Sequence, residues 1–502
     1  MAIIFNEDPN HFIFTRFQSG KERVTEADLR AFIRQYRGTN ISDFLVCVNA
    51  SMPFYPTKTL PSAIDRLNEW EKSGRLDREK YNAVAGCVRL LRNIYADGLN
   101  MNAIWLDEIR ACGMRAWVSV RMNDIHEAEN PDAFLPSDFY KSHPEAHRIT
   151  YRKPAIHPEY ALDYSHSAVR EHYLTLIKET LETYDCDGIE LDYMREPYCF
   201  AVGREQAGLA VMTDFIGEVV SLVRAAEKRV SHKILIGARV PDSPQNAMLL
   251  GLDAVTWVHR GYLDRLFVTP HWSSSDGNMP IDLWKSILGG ENVRLAAGLE
   301  ILLDAYNRPG RKYKNIDLRS AVGFSCAYRS LGADDVYLFN FMDTLTPSGV
   351  PDVFSGDNYQ ALLQTVGNED RMIAAPRRNV VTFGDTWIPG ERPRKVLPLR
   401  LSEASAPEAM RIPTGPIPAG RTVTIRLGLE RGGADGNDLA VWANCRACRL
   451  IGKTEADYPA YEDMDYYAYA IENDGRLPTV FMVEVAALHG TATVHWAEIM
   501  ID

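Results

Sequence analysis

A chain of 502 residues, 46% hydrophobic and 24% charged, is long enough for two hydrophobic cores and has the composition of a folded globular protein. Its 67 Asp and Glu outweigh 55 Lys and Arg, and the resulting formal charge of -12 argues against a nucleic-acid partner. No run of the sequence approaches the roughly 20 apolar residues that span a bilayer, so no membrane partner is expected.

The start, MAIIFNEDPNHF, has neither the basic residues nor the long apolar run of a secretory leader. A native start would make the protein cytoplasmic; a removed leader would make it periplasmic or secreted. Beyond it, short β-rich runs alternate with helix-like segments to about residue 370. The expected strands are FIFTRF (12–17), DFLVCVNAS (43–51), RAWVSVRMND (115–124) and GIELDYM (188–194), then ILIGARV (234–240), RLFVTPHW (265–272), VRLAAGLE (293–300) and DVYLFNFMD (335–343). Between them helices are expected near 25–37, 78–96, 204–228, 245–258, 280–287, 317–330 and 357–366. The clearest helix runs from Val169 to Tyr184, where Val169, Tyr173, Leu176, Ile177, Thr180 and Leu181 recur at helical spacing. Eight strand–helix units predict an α/β fold closed as a (β/α)8 TIM barrel over 1–375. An open doubly wound sheet would announce a glycine-rich phosphate turn after its first strand, and FIFTRFQSGKER contains none. Two connections, 52–78 and 125–165, are long and rich in Pro, His, Tyr and Phe, which marks them as functional loops.

From residue 376 the pattern changes to short strands split by turns such as PAG, RGGADGND and NDGRLP. This predicts an all-β sandwich over 376–502, an accessory domain contributing no catalytic carboxylate. Its Asp457, Glu462 and Asp463 fall in turn-rich stretches and read as solvated. Of the eight cysteines only Cys445 and Cys448 form a CxxC pair, and without a second pair they do not make a zinc site.

Catalytic groups of such barrels project from the C-terminal ends of the strands. The period of two picks out Arg16, Asn49, Arg121 with Asn123 and Asp124, Asp192, Arg239, His271, Glu300 and Asn340 as the last inward residues. A ring of polar groups on apolar strands must be solvated or paired, which is why it suggests a site rather than a core. On strand four, Asp192 sits at the emergence point and Glu196 just beyond it. On strand seven, Ala296 and Gly298 keep the interior small beneath Glu300. Two carboxyls flanking a scissile bond are what glycosidic cleavage requires: one protonates the leaving oxygen, the other attacks the anomeric carbon or activates water. Phe54, Tyr55, Tyr140, Tyr193, Tyr198 and Trp272 are candidate stacking surfaces for sugar. No HxH or HExxH pattern appears at a strand end, so neither metal nor cofactor is expected.

The run ALDYSHSAVREHYLTLIKETLETYDCDGIELDYMREP (161–197) resembles the glycoside-hydrolase-like barrels of bacterial polysaccharide degraders, in which "LD-P-x-P-x-VR" opens the third helix and "YDVDGIxxD" forms the fourth strand. GMRAWVSVRMND is similar to their third strand. The resemblance implies carbohydrate-active chemistry, with Asp192 at the family's acidic strand-four position. DGIELDYM also resembles the chitinase-type DGxDxDxE motif, but Met194 stands where that motif has its catalytic Glu, so its substrate-assisted mechanism does not transfer. The strand-four and strand-seven carboxylates resemble those of the retaining β-glycosidase clan. That clan carries Asn-Glu at the end of strand four where this chain has Asp-Tyr-Met-Arg-Glu, which leaves the acid/base open between Asp192 and Glu196.

The expectation is a glycoside hydrolase acting on an oligo- or polysaccharide, with Asp192, Glu196 and Glu300 catalytic. Asn49, Arg121, Asn123, Asp124, Tyr193, Arg239, His271, Trp272 and Asn340 would bind substrate. A non-catalytic carbohydrate-binding barrel, or a lyase or transglycosylase on the same fold, are the alternatives.

Overall fold

The computed structural model describes the chain except residues 77–80, 131, 150–156, 311–313, 343–351 and 393, and the side chain of His157. Parts of the expected helix 78–96, of both long connections and of the strand 335–343 lie outside the described residues.

Eight strands close a parallel barrel in sequence order: β1 (Ile3–Glu7), β2 (Ile41–Cys47), β3 (Arg115–Arg121), β4 (Gly188–Asp192), β5 (Leu235–Pro241), β6 (Arg265–Thr269), β7 (Arg294–Glu300) and β8 (Asp335–Phe339). The helices among and after them are α1 (Pro9–Gln18), α2 (Glu26–Arg34), α3 (Ala63–Ser73), α4 (Asn82–Ala96), α5 (Met101–Ala111), α6 (Asp138–Ser142) and α7 (Ser167–Thr183). They continue as α8 (Glu205–Val230), α9 (Pro244–Leu249), α10 (Ala254–His259), α11 (Ile281–Leu288), α12 (Leu318–Ser330), α13 (Asn358–Thr365) and α14 (Glu369–Ala374).

Seven of the eight expected strands coincide with observed ones, and the first does not. FIFTRF lies within α1, because Asp8 caps that helix through Asn10 N–H and Pro9 occupies its first turn. Arg16 therefore lies on a helix, its guanidinium 4.0 Å over the Phe12 ring, and not at a strand end. The strand that opens the barrel is the shorter IIFNE. A second helix, α3, interrupts the expected loop 52–78. Its signal was present in Ser62 and Asp65, which form a reciprocal capping box ahead of the buried Ile64, Leu67 and Trp70.

The described chain gathers into two compact units, one of residues 4–268 and 287–294, the other of 1–3, 269–286 and 295–502. In the first unit the barrel interior is layered. Trp117 fills the floor: a Cβ on Gly188 would lie 2.3 Å from its ring, and one on Gly237 2.6 Å from Phe267, so only glycine fits at either position. The Trp117 indole donates to Asp43 at 2.9 Å, and Arg115 and Arg265 pair with the same carboxylate. Above that floor Asn6 donates to Ser119 and Glu190. In the second unit Gly298 leaves room for Thr269, whose Cγ2 would lie 2.3 Å from an added Cβ.

The C-terminal strands are β9 (Arg377–Val380), β10 (Leu399–Ser402), β11 (Glu408–Pro413), β12 (Val423–Glu430), β13 (Leu439–Ala443), β14 (Arg446–Ala447), β15 (Arg449–Thr454), β16 (Met464–Ile471), β17 (Val480–Ala487) and β18 (Thr491–Ile501). They form two antiparallel sheets, one in the order β10-β18-β12-β16-β15 with β9 also on β18, the other β11-β17-β13-β14. This is the predicted TIM barrel with a C-terminal sandwich. The sandwich acids are not simply solvated: Asp457 pairs with Arg378 and Arg426, and Asp463 with Arg308. Among the described residues no helix is long and apolar enough to cross a membrane.

Candidate active site

Arg121, Asp192 and Arg239 are register partners on β3, β4 and β5, so they stand at one level of the barrel wall. All three are buried, at 4%, 1% and 1% exposure. Arg239 Nη1 donates to both Asp192 oxygens at 3.3 Å, and the Met194 N–H donates to Asp192 Oδ1 at 2.9 Å. Arg121 spans two further carboxylates, with Nη2 2.5 Å from Asp8 Oδ2 and Nη1 3.1 Å from Asp124 Oδ2. Burial alone would raise both acids. The Arg121 charge and the Asn10 N–H instead hold Asp8 below the usual range. Against the same burial, His126, Arg121 and Arg195 hold Asp124 well below it.

The chain of charge continues outward. Asp124 Oδ1 lies 2.7 Å from His126 Nδ1, and Arg195 Nη2 lies 2.7 Å from His126 Nε2. A guanidinium can only donate, so Nε2 accepts and Nδ1 is the nitrogen that donates to Asp124. Glu196 follows Arg195 on the same connection and is 5% exposed.

Asn49 and Asn123 spend their hydrogen bonds on the main chain. Asn49 donates to Ala50 and Arg121 carbonyls and accepts the Arg121 N–H, stitching the end of β2 to β3. Asn123 donates to the Leu162 and Tyr198 carbonyls and accepts from Leu162 N–H, which ties down the β3–α7 connection. Both shape the wall rather than offer free groups to a ligand. Tyr193 is a correction: it is fully buried, its hydroxyl 3.4 Å from Met212 Sδ and its ring against Trp257, so it packs toward α8 and α10 instead of presenting a face to sugar. Phe54, Tyr55, Tyr140 and Tyr198 are buried as well, and of the six candidate aromatics only Trp272 is exposed, at 38%.

In the second unit Glu300 ends β7 at 1% exposure. Its Oε1 accepts from Asn340 Nδ2 at 2.9 Å and from the Ile301 N–H at 3.0 Å. Asn340 holds a left-handed backbone (φ 62°), which asparagine tolerates better than most residues. The main chain of Glu300 is held by Ser275, whose Oγ accepts its N–H at 3.0 Å and donates to its carbonyl at 2.5 Å. His271 and Trp272 follow β6, with ring centroids 6.3 Å apart. Beside Asp304, four residues past Glu300, a cavity of about 300 Å³ is lined also by Tyr461, Glu462 and Asp463 of the sandwich.

Sequence reasoning did not single out Asp8, His126, Arg195 or Ser275. Asp8 had a signal, since it stands before a proline at the end of a short apolar run. The other three are ordinary loop residues until the fold brings their partners to them.

No protein-family model matches the sequence, and no curated protein does. Solved structures match. The glycoside hydrolase domain of PgaB (BpsB) from Bordetella bronchiseptica is 11% identical, over 67% of this chain and 93% of that one, with a TM-score of 0.41. A family GH18 chitinase from Chromobacterium violaceum is 9% identical, over 79% of each chain, with a TM-score of 0.32. The glycoside hydrolase domain of PelA from Pseudomonas aeruginosa is 14% identical, over 49% of this chain and 86% of that one, with a TM-score of 0.31. These glycoside hydrolases are what the chain is similar to.

Proposed function

We propose that the protein is a glycoside hydrolase acting on an oligo- or polysaccharide, with 1–375 as its catalytic barrel and 376–502 as an accessory domain. The observation that carries this is the set of carboxylates at the C-terminal ends of barrel strands, Asp192 on β4 and Glu300 on β7, each oriented by specific donors. In a (β/α)8 barrel that is the end where chemistry is built.

The hydrogen bonds support a division of roles. A general acid must carry a proton to the leaving oxygen. Asp192 accepts from a guanidinium and a backbone N–H, and Glu300 from an amide and a backbone N–H, so both are arranged as acceptors. Glu300 then suits the nucleophile, with Asn340 fixing its attacking geometry. Asp192 suits electrostatic stabilisation of the oxocarbenium-like transition state. Glu196, on the connection after β4, is the acid/base. Retention of anomeric configuration follows from a carboxylate nucleophile.

Hydrolysis of a panel of chromogenic glycosides tests the reading, with Glu300→Gln as control. NMR of the first-formed product then reports stereochemistry: an inverted anomer would turn Glu300 into the base that activates water. Glu196→Gln should be rescued more by substrates with good leaving groups than by poor ones; equal loss on both would remove Glu196 as acid.

A further inference from the structure

The segment after β9 lies against the connection between β6 and α11, and one of its side chains ends on three consecutive main-chain donors. Asp385 Oδ1 accepts the His271 N–H at 2.8 Å, and Oδ2 accepts those of Trp272 at 2.8 Å and Ser273 at 2.6 Å. Successive N–H groups aimed at one point form a nest that holds an anion, here a carboxylate from far along the same chain. Further along the connection a second clamp acts on Asp276. Arg394 pairs with it, and Thr382 Oγ1 donates to it at 3.2 Å while accepting the Gly277 N–H at 3.0 Å. Between the two clamps Ser275 holds the main chain of Glu300.

We propose that Asp385 is a positioning residue of the substrate site: through the nest it fixes His271 and Trp272, the most exposed aromatic of the barrel candidates. The C-terminal region thereby supplies part of the site's framework. This rests on the glycosidase reading above. Asp385 touches no reacting atom in that reading, and the Asp276 clamp keeps Ser275 on Glu300 when Asp385 is lost. Removing it therefore acts on substrate binding more than on turnover.

The test uses the full chain and two readouts. In hydrogen exchange, Asp385→Ala should lose protection of the amides of 271–273 while the other barrel amides keep theirs. Asp385→Asn, which retains one accepting oxygen, should lose protection in part. On the chromogenic glycoside that the wild-type protein hydrolyses best, Asp385→Ala should raise KM about tenfold with kcat within about twofold of wild type, the pattern of lost binding common to ground and transition state. Asp385→Asn should fall between. Arg411→Gln breaks contacts to Asn278 on the same connection and to Asp282 in the first turn of α11, and should leave KM and the protection of 271–273 unchanged. Unchanged KM in an Asp385→Ala protein whose 271–273 amides have lost protection would overturn the proposal and leave the glycosidase reading standing. Full protection in that variant would also overturn it. A wild-type protein inactive on the whole panel would remove the reading itself. If Asp385→Ala does not fold, the Asp385→Asn protein decides by the same two readouts.

Discussion

The barrel and the sandwich both bury charge, and the comparison shows what buried charge does and does not signify. In the barrel Arg239 and Asp192 are each 1% exposed and paired. In the sandwich Arg378 and Arg426, each 4% exposed, hold the fully buried Glu498 together with Asp457. Either arrangement costs desolvation that its attraction roughly repays, so pairing alone is no sign of chemistry. Position separates them. Arg426 and Glu498 are cross-strand partners within β12 and β18, enclosed by sheet on both sides. Asp192 is the last residue of its strand, at the end of a barrel where connections meet.

The largest effect expected from this contrast is at Glu300. Glu300→Gln should lower kcat/KM by about 10³-fold or more with an unchanged melting temperature. A variant within tenfold of wild type would remove Glu300 from the chemistry.

Next, Asp192→Asn and Glu498→Gln each leave a buried guanidinium short of a carboxylate and should each destabilise the fold by about 3–5 kcal/mol in urea titrations. Of the two, only Asp192→Asn should also lower kcat, and by less than Glu300→Gln does. Loss of activity in folded Glu498→Gln protein would break the comparison outright.

Glu7 is the third kind of buried carboxyl, one that forms no ion pair with a guanidinium among the described residues. It is 0% exposed at the end of β1, 3.6 Å from His11 Nδ1, with Asp8 and Arg16 nearby. Burial pushes it from 4.5 up to about 7, against the pull of His11. Between those values the folded protein binds a proton that the unfolded chain does not. Stability therefore falls as pH rises from 4.5 to 7 and is flat above, by about 3 kcal/mol for this group. Glu7→Gln should remove that slope and be the more stable protein at pH 8. A variant with the wild-type slope would assign the slope to other groups. Asp8 and Asp124, held below the usual range, act oppositely and withdraw stability only as the pH falls below about 4.

Trp272→Ala should raise KM about fivefold, the scale of one aromatic face, without changing stability. Smallest of all, EDTA should leave kcat unchanged. Loss of activity that a divalent ion restores would overturn the metal-independent reading.

Much of the fold was legible because its signals are local. VRLAAGLE and RAWVSVRMND carry strand periodicity, and the 169–181 pattern carries a helix, whatever surrounds them. The first strand departs from expectation for a local reason too: FIFTRF is as apolar as a strand, and the Asp8–Pro9 helix start decides against it. The aromatic candidates fared worst. Tyr193 stands beside Asp192 in sequence and Tyr198 two residues after Glu196, yet packing buries both. Nothing in one chain's residue order distinguishes a ring turned toward a helix from a ring turned toward a ligand.

Alternation of apolar and polar residues at periods of two and 3.6, set by covalent geometry, was enough to determine seven of the eight barrel strands, the all-β character of the C-terminal region, and the polar endings of strands four and seven. Which of those polar groups meet was decided only by tertiary structure. Arg239 reaches Asp192 across 47 positions, Arg121 reaches Asp8 across 113, and Asp385 reaches His271 across 114. Such partners depend on strand register and on how the chain closes, and a carboxylate's role as acceptor, donor or anchor follows from the partner it meets.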